Sequence, residues 1–246
     1  DIKFVSRRSF NYVERLGEVD WVVVATPDET HYDTVMKCIM NKKNVFCEKP
    51  LTLRSDESQL LFALAKSQGV KLYVDDVLNW KSSQFDFYRD KTNYVSRRKK
   101  DVSDNPFYKT KDLLYRLTYH DVYHLYWHLK KLKIADVIPI DIDNKLHFKV
   151  IFDSGEIVDF LYDVNYDGNR EHHLNDTSLM NTGKEDPLYE MLYTVLNDGD
   201  VNFEHNKNIS VFTDEFLEKI ESKLFKKIAV VGAGVFGCTI AKCLSI

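Results

Sequence analysis

Apolar and polar positions follow two different rhythms along this chain. In the first hundred residues, short continuous apolar runs alternate with stretches of helical spacing. "IKFVS" (2–6), "DWVVVATP" (20–27), "NVFCEKP" (44–50) and "KLYVDDV" (71–77) read as strands. The second of these is rich in β-branched valine and uninterrupted, which predicts a parallel strand buried on both faces. Between them, "THYDTVMKCIMNK" (30–42) places Val35, Ile39 and Met40 at helical spacing. "SDESQLLFALAKSQG" (55–69) carries a capping Ser55, an acidic first turn and a terminal Gly69, which is ordinary helix punctuation. Strand–helix alternation of this kind predicts a Rossmann-like, doubly wound α/β sheet.

From about residue 112 the rhythm changes. "DLLYRLTYHDVYHLYWHLKKLK" (112–133) reads as a long aromatic-rich helix. "KLHFKVIFDSGEIVDFLYDV" (145–164) then alternates in period two around a turn at Asp153-Ser154-Gly155, as an antiparallel pair with one covered face does. Helical spacing returns over 185–199 and 213–224. The expected organisation is a nucleotide-binding domain over 1–110, an α+β domain with an open, mainly antiparallel sheet over 111–225, and a separate strand–turn–helix over 226–246.

Composition narrows the function classes. Hydrophobic residues make up 44% and charged residues 29% of the chain, an ordinary soluble balance. A formal net charge of −4 offers no footprint for nucleic acid. The dense basic run Arg97, Arg98, Lys99 and Lys100 reads as a solvated loop. No apolar stretch has the length of a membrane span. Four cysteines without CxxC spacing suit a reducing, cytoplasmic setting.

Two motifs carry chemistry. The buried run into Ala25-Thr26-Pro27, then His31, then Glu48-Lys49-Pro50-Leu51, resembles the nucleotide-binding domain of the glucose–fructose oxidoreductase/inositol dehydrogenase (Gfo/Idh/MocA) family. The resemblance is firm over 19–75. It implies a Rossmann domain, a C-terminal open sheet that commonly serves as a dimer surface, and a carbohydrate-type substrate lying with a nicotinamide between them. It implies cofactor contacts for Thr26, Pro27, His31 and Glu48, and places Lys49 at both nicotinamide and substrate oxygen. A partly desolvated lysine also suits proton relay. On the helix after the Rossmann domain the family has an acid four residues before a histidine and another three after it. His120 fills the histidine position, but Arg116 and Tyr123 stand where the acids would be. His120 and Tyr123 therefore join Lys49 as candidate catalytic residues. His120, His124 and His128 share a helical face, which reads as aromatic packing rather than a metal site. His172 and His173, on opposite faces of a strand, read as structural.

Family members open with a strand and a glycine-rich turn, whereas "DIKFVSRRS" corresponds to their second strand. Ser6, Arg7 and Arg8 follow that strand where an acid would bind the adenosine ribose. Guanidinium groups there favour NADP(H) over NAD(H). The other motif is "KKIAVVGAGVFG" (226–237). Gly232 permits a tight turn, Gly234 lets backbone N–H groups approach a pyrophosphate, and Gly237 allows close helix–strand packing. Its wording resembles the start of FAD-dependent oxidoreductases, so FAD is the cofactor expected there if a further domain begins at 226. Alternatively the segment is a permuted first strand. The function expected is hydride transfer to or from a sugar, sugar nucleotide or polyol, with a nucleotide-binding protein without turnover as the alternative.

Overall fold

The computed structural model describes residues 2, 3, 5, 11–80, 85–100, 113–180, 186–197 and 199–225. Ser6, Arg7, Arg8, Gly232, Gly234 and Gly237, and with them the tail motif, lie outside the described residues. Of the expected first strand, residues 2, 3 and 5 are exposed and are not assigned to a strand.

Three parallel strands form the first sheet: β1 (Trp21–Val24), β2 (Asn44–Cys47) and β3 (Leu72–Val74), in that spatial order. Helices α1 (His31–Met40) and α2 (Ser55–Gln68) connect them. Gly69 ends α2 at φ 69°, the left-handed conformation that glycine adopts without a Cβ clash. Ser55 does not cap its own helix. Its N–H and hydroxyl donate to the carboxylate of Glu218 at 2.8 and 2.7 Å, so the cap comes from a distant helix. β1 is not buried on both faces as expected: it is an edge strand among the described residues, and Val23 is 50% exposed.

The second sheet has six strands in the order β5-β6-β7-β4-β8-β9. They are β4 (Thr92–Arg98), β5 (Ile134–Asp141), β6 (Leu146–Phe152), β7 (Ile157–Asp163), β8 (Glu171–Leu174) and β9 (Thr177–Ser178). All neighbours are antiparallel except β4 and β7. β4 falls within the span expected for the nucleotide-binding domain, yet it pairs at the centre of this sheet. The basic run is accordingly no solvated loop. Strand alternation turns Arg97 inward at 7% exposure, while Arg98 stays near Glu171 at 3.9 Å.

The expected long helix is broken into a π-turn (Leu114–Thr118), α3 (Tyr119–His124) and α4 (Tyr126–Leu129). Two further helices follow, α5 (Pro187–Leu196) and α6 (Phe203–Leu224). The last begins ten residues before its apolar spacing becomes regular, started by Asn202, whose side chain accepts from the His205 N–H at 2.9 Å.

α3 and α6 cover one face of the six-stranded sheet. Phe148, Phe160, Tyr162, Tyr119, Tyr123 and Leu217 form the centre of the main core. α6 also closes the free edge of β3. The Asn206 amide accepts from the Val74 N–H at 2.9 Å and donates to the Val74 carbonyl at 2.8 Å, as a neighbouring strand would. No helix among the described residues is long and apolar enough to cross a membrane.

Candidate active site

The carboxyl ends of β1, β2 and β3 present three short loops side by side. In doubly wound sheets this edge is where ligands bind. The Glu48 N–H donates to the Val24 carbonyl and the Asp75 N–H to the Cys47 carbonyl, each at 2.8 Å, so the register runs past the strand ends. Ala25, Glu48 and Asp75 therefore stand in a row.

His31 fixes two of these loops from beneath. It is fully buried, with Nδ1 2.7 Å from the Pro50 carbonyl and Nε2 2.8 Å from the Thr26 carbonyl. A neutral ring donates to only one of these oxygens; both bonds together require the doubly protonated ring. His31 was expected among the cofactor contacts, but burial assigns it to loop support instead. Thr26 and Pro27 lie above it and are exposed. The Thr30 hydroxyl is 2.8 Å from Thr26 Oγ1, closing the turn.

Lys49 follows β2 and precedes a cis Lys49–Pro50 bond. Its Nζ donates to the Arg116 carbonyl at 2.9 Å, one helical turn before the half-buried His120. The acceptor lies in the π-turn, where the regular hydrogen-bond ladder is disturbed. Burial lowers the Lys49 ammonium below the ordinary lysine value; Asp28, Asp75 and Glu48 oppose that shift, and Arg97 adds to it.

Asp75 is the group that sequence reading missed. It is 5% exposed, and burial raises its carboxyl to about 7, with Glu48 beside it adding to the shift. One carboxylate oxygen accepts the Val77 N–H at 2.9 Å. Tyr123 is part of this arrangement but not as a proton donor to substrate. It is 1% exposed, and its hydroxyl donates to the Asp75 backbone carbonyl at 2.8 Å. A tyrosine in that state holds the β3 end in place.

Behind α3 lies a buried polar chain, also missed. Arg97, Tyr162 and His172 are in register across β4, β7 and β8. Arg97 Nη2 is 3.3 Å from His172 Nδ1, His172 Nε2 is 2.6 Å from Asp121 Oδ1, and the Tyr162 hydroxyl donates to Asp121 Oδ2 at 2.9 Å. Guanidinium only donates, so Nδ1 accepts and Nε2 carries the proton toward Asp121. Burial pushes the Asp121 carboxyl up, but His172, Arg97 and these hydrogen bonds outweigh it and hold it below the ordinary range. His172 is thus a link in a charge network. Its signal in the sequence was the pairing of a buried-phase arginine on β4 with a buried-phase histidine on β8. His124 and His128 pack on Phe85, with ring centroids 5.0 and 5.5 Å apart, and Phe87 stacks on His128 at 4.7 Å.

The residues present fit a nicotinamide nucleotide in one respect that the structure tests. The loop edge is rigidly supported by His31, leaves Thr26 and Pro27 open, and holds a half-buried lysine beside them. Together, a parallel sheet with this edge and a six-stranded mixed sheet define a two-sheet α/β protein of nucleotide-binding type. Residues 3–76 match the oxidoreductase family with an NAD-binding Rossmann fold, Gfo/Idh/MocA. Over 62 residues it is 39% identical to 2,7-anhydro-N-acetylneuraminate hydratase of Escherichia coli (strain K12), which is 25% of this chain and 17% of that protein. Over 52 residues it is 42% identical to scyllo-inositol 2-dehydrogenase (NAD(+)) of Bacillus subtilis (strain 168), covering 21% and 15%. The matched segment thus spans about a sixth of the length of these relatives. A solved structure of UDP-N-acetylglucosamine 3-dehydrogenase from Acidithiobacillus ferrooxidans superposes with a TM-score of 0.70 over 88% of this chain and 82% of that one. At 15% identity that likeness speaks for the fold.

Proposed function

We propose that the chain acts in an NAD(P)-dependent oxidoreductase that moves hydride between a sugar, sugar nucleotide or polyol and nicotinamide. The observation that carries this reading is Lys49: a lysine with a lowered pKa at the carboxyl end of β2, inside the segment matched to the family. Relatives named as acting on inositol and on a neuraminate derivative support a polyhydroxy substrate. Arg7 and Arg8 support NADP(H) over NAD(H) on charge grounds alone.

Thr26, Pro27 and Glu48 would line the cofactor side. The nicotinamide supplies or accepts the hydride when bound. Oxidation of a carbinol also releases a proton from its oxygen, and this chain's own residues handle it. Lys49, in its amine form, takes the hydroxyl proton, and Asp75 in the neighbouring register is placed to exchange it onward. His120, one turn from the Lys49 acceptor, contributes the second hydrogen bond to the substrate oxygen.

The test is turnover of NADPH and NADH with a panel of sugars and polyols. Lys49→Met is expected to lower kcat by about 10²–10⁴-fold while nucleotide affinity stays within a few-fold. A second reading is a nucleotide-binding protein without turnover. Tyr123 bound to backbone, with no acid at 116, favours it. Nucleotide binding without any hydride transfer would select that reading.

A further inference from the structure

Beyond the carboxyl end of β3 the chain turns through Val77–Trp80, and a cavity of about 330 Å³ lies beside this turn. None of Thr26, Glu48, Lys49 or His120 lines it, so it is a different place from the crevice described above. The buried Tyr73 and Asp76 form its floor, Trp80 and Trp127 its walls, and Asp200 and Asn202 an exposed rim. Solvent therefore reaches it past the rim, and its volume suits a small organic molecule.

Asp76 is 5% exposed, and the donors that reach it are neutral. The Tyr73 hydroxyl donates to Oδ1 at 2.5 Å, and Trp80 Nε1 donates to the same oxygen at 2.9 Å. The amides of Asn79 and Asn206 also favour the charged form. Burial raises the carboxyl to about 6 against the pull of these donors, so it is ionised at neutral pH. Among the described residues no ion pair involves Asp76. A buried charge is ordinarily paired, and this one faces an open cavity.

The lining has one sign. Asp76 and Asp200 are acidic, and no lysine or arginine is among the lining residues. His205 lines the cavity too, but burial and Lys130 lower its pKa below the ordinary histidine value, so its ring is neutral at pH 7. Two cations stand close by without lining it: Lys130 Nζ lies 3.6 Å from the Trp127 ring centroid, and Lys71 Nζ lies 5.6 Å from that of Phe203. The Lys130 contact shows that the Trp127 ring draws an ammonium, and the stack on His205 at 5.0 Å fixes the ring. An anion would meet two carboxylates here, and a neutral polyol would leave Asp76 without a counter-charge.

We propose that this cavity binds an organic cation, a primary or quaternary ammonium, with its charge against Asp76 and Asp200 and its hydrocarbon part against Trp80 and Trp127. The site does not rest on the hydride-transfer reading.

The test is calorimetric binding of choline, ethanolammonium and 3,3-dimethyl-1-butanol to the whole chain at pH 7.5. The alcohol has the shape of choline with carbon in place of the charged nitrogen. A cation is expected to bind about tenfold or more tightly than the alcohol. Choline ahead of ethanolammonium assigns a quaternary group, and the reverse order assigns a primary one. Asp76→Asn, which keeps the shape and removes the charge, abolishes the preference; the exposed Asp200→Asn lowers it a few-fold. The Trp80 indole N–H, which donates to Asp76, should shift in the ¹H–¹⁵N spectrum as the cation is added. Should Asp76→Asn fail to fold by circular dichroism, Asp200→Asn and the indole shift decide. Cations bound no more tightly than the alcohol, or a preference unchanged in both variants, overturns the proposal. So does a preference lost in Glu48→Gln and kept in Asp76→Asn, which would put the cation in the Lys49 crevice.

Discussion

The two sheets handle charge in opposite ways. At the carboxyl edge of the three-stranded sheet, Glu48, Asp75 and Lys49 crowd together, and burial drives Asp75 and Lys49 toward neutral forms. Inside the six-stranded sheet, burial is just as complete, but Asp121 stays ionised because His172, Tyr162 and Arg97 are placed around it. The difference is hydrogen bonding. A buried carboxylate with two donors and a nearby cation keeps its charge, and one flanked by a second carboxylate does not. The first arrangement suits a fixed scaffold, and the second suits a proton that must move.

Removing Asp121 should have the largest effect on the scaffold. Asp121→Ala leaves Arg97 as a buried charge without its counter-charge, and a loss of about 3–5 kcal/mol in unfolding free energy is expected by denaturant titration. A loss below about 1 kcal/mol would mean that the chain is already wet.

Asp75 should show the contrary pH behaviour. Its folded value, about 7, lies above the ordinary 3.8, so the folded state holds the proton more tightly than the unfolded chain. The stability this contributes is complete below about pH 4 and is lost as pH rises through 7. Asp75→Asn should therefore gain on wild type by at most ~4 kcal/mol between pH 4 and pH 8. Parallel stability curves for the two proteins would show that Asp75 titrates like an exposed carboxyl. In the same variant, the rise of oxidation rate through neutral pH should flatten.

The smallest effect is expected where the sheets are joined. Asn206→Ala strips the edge of β3 of two hydrogen bonds and should cost about 1–3 kcal/mol. Hydrogen exchange at Val74 should rise with it. Unchanged protection there would show that the edge does not depend on α6.

Much of the fold was legible because apolar spacing is a local signal. The runs at 20–27, 44–50 and 71–77 became β1, β2 and β3, and the turn at Gly155 joins β6 to β7. What stayed hidden depended on partners distant in sequence. Glu218 caps α2 across 163 positions, Asn206 finishes β3 across 132, and Arg97 meets His172 across 75. The basic run looked solvated because four cations in a row hide a strand's period of two. Lys49 was legible through its motif, but the burial that loosens its proton, and Asp75 and Glu48 at the adjoining strand ends that partly oppose that loosening, were not. Tyr123 was misread because its helical position is visible in sequence while its hydroxyl partner, a backbone carbonyl, is not.

The proposed reaction turns on Lys49 managing a proton while hydride moves to or from nicotinamide. The most direct measurement is the pH dependence of single-turnover nicotinamide reduction with a polyol deuterated at the reacting carbon, in wild type and Lys49→Met. A primary isotope effect in wild type, with a rate that falls as Lys49 and Asp75 become protonated, and a Lys49→Met rate slower by about 10²–10⁴-fold with no such pH dependence, is the predicted result. Nucleotide bound by wild type with no reduction at any pH, or a Lys49→Met rate equal to wild type, would contradict it.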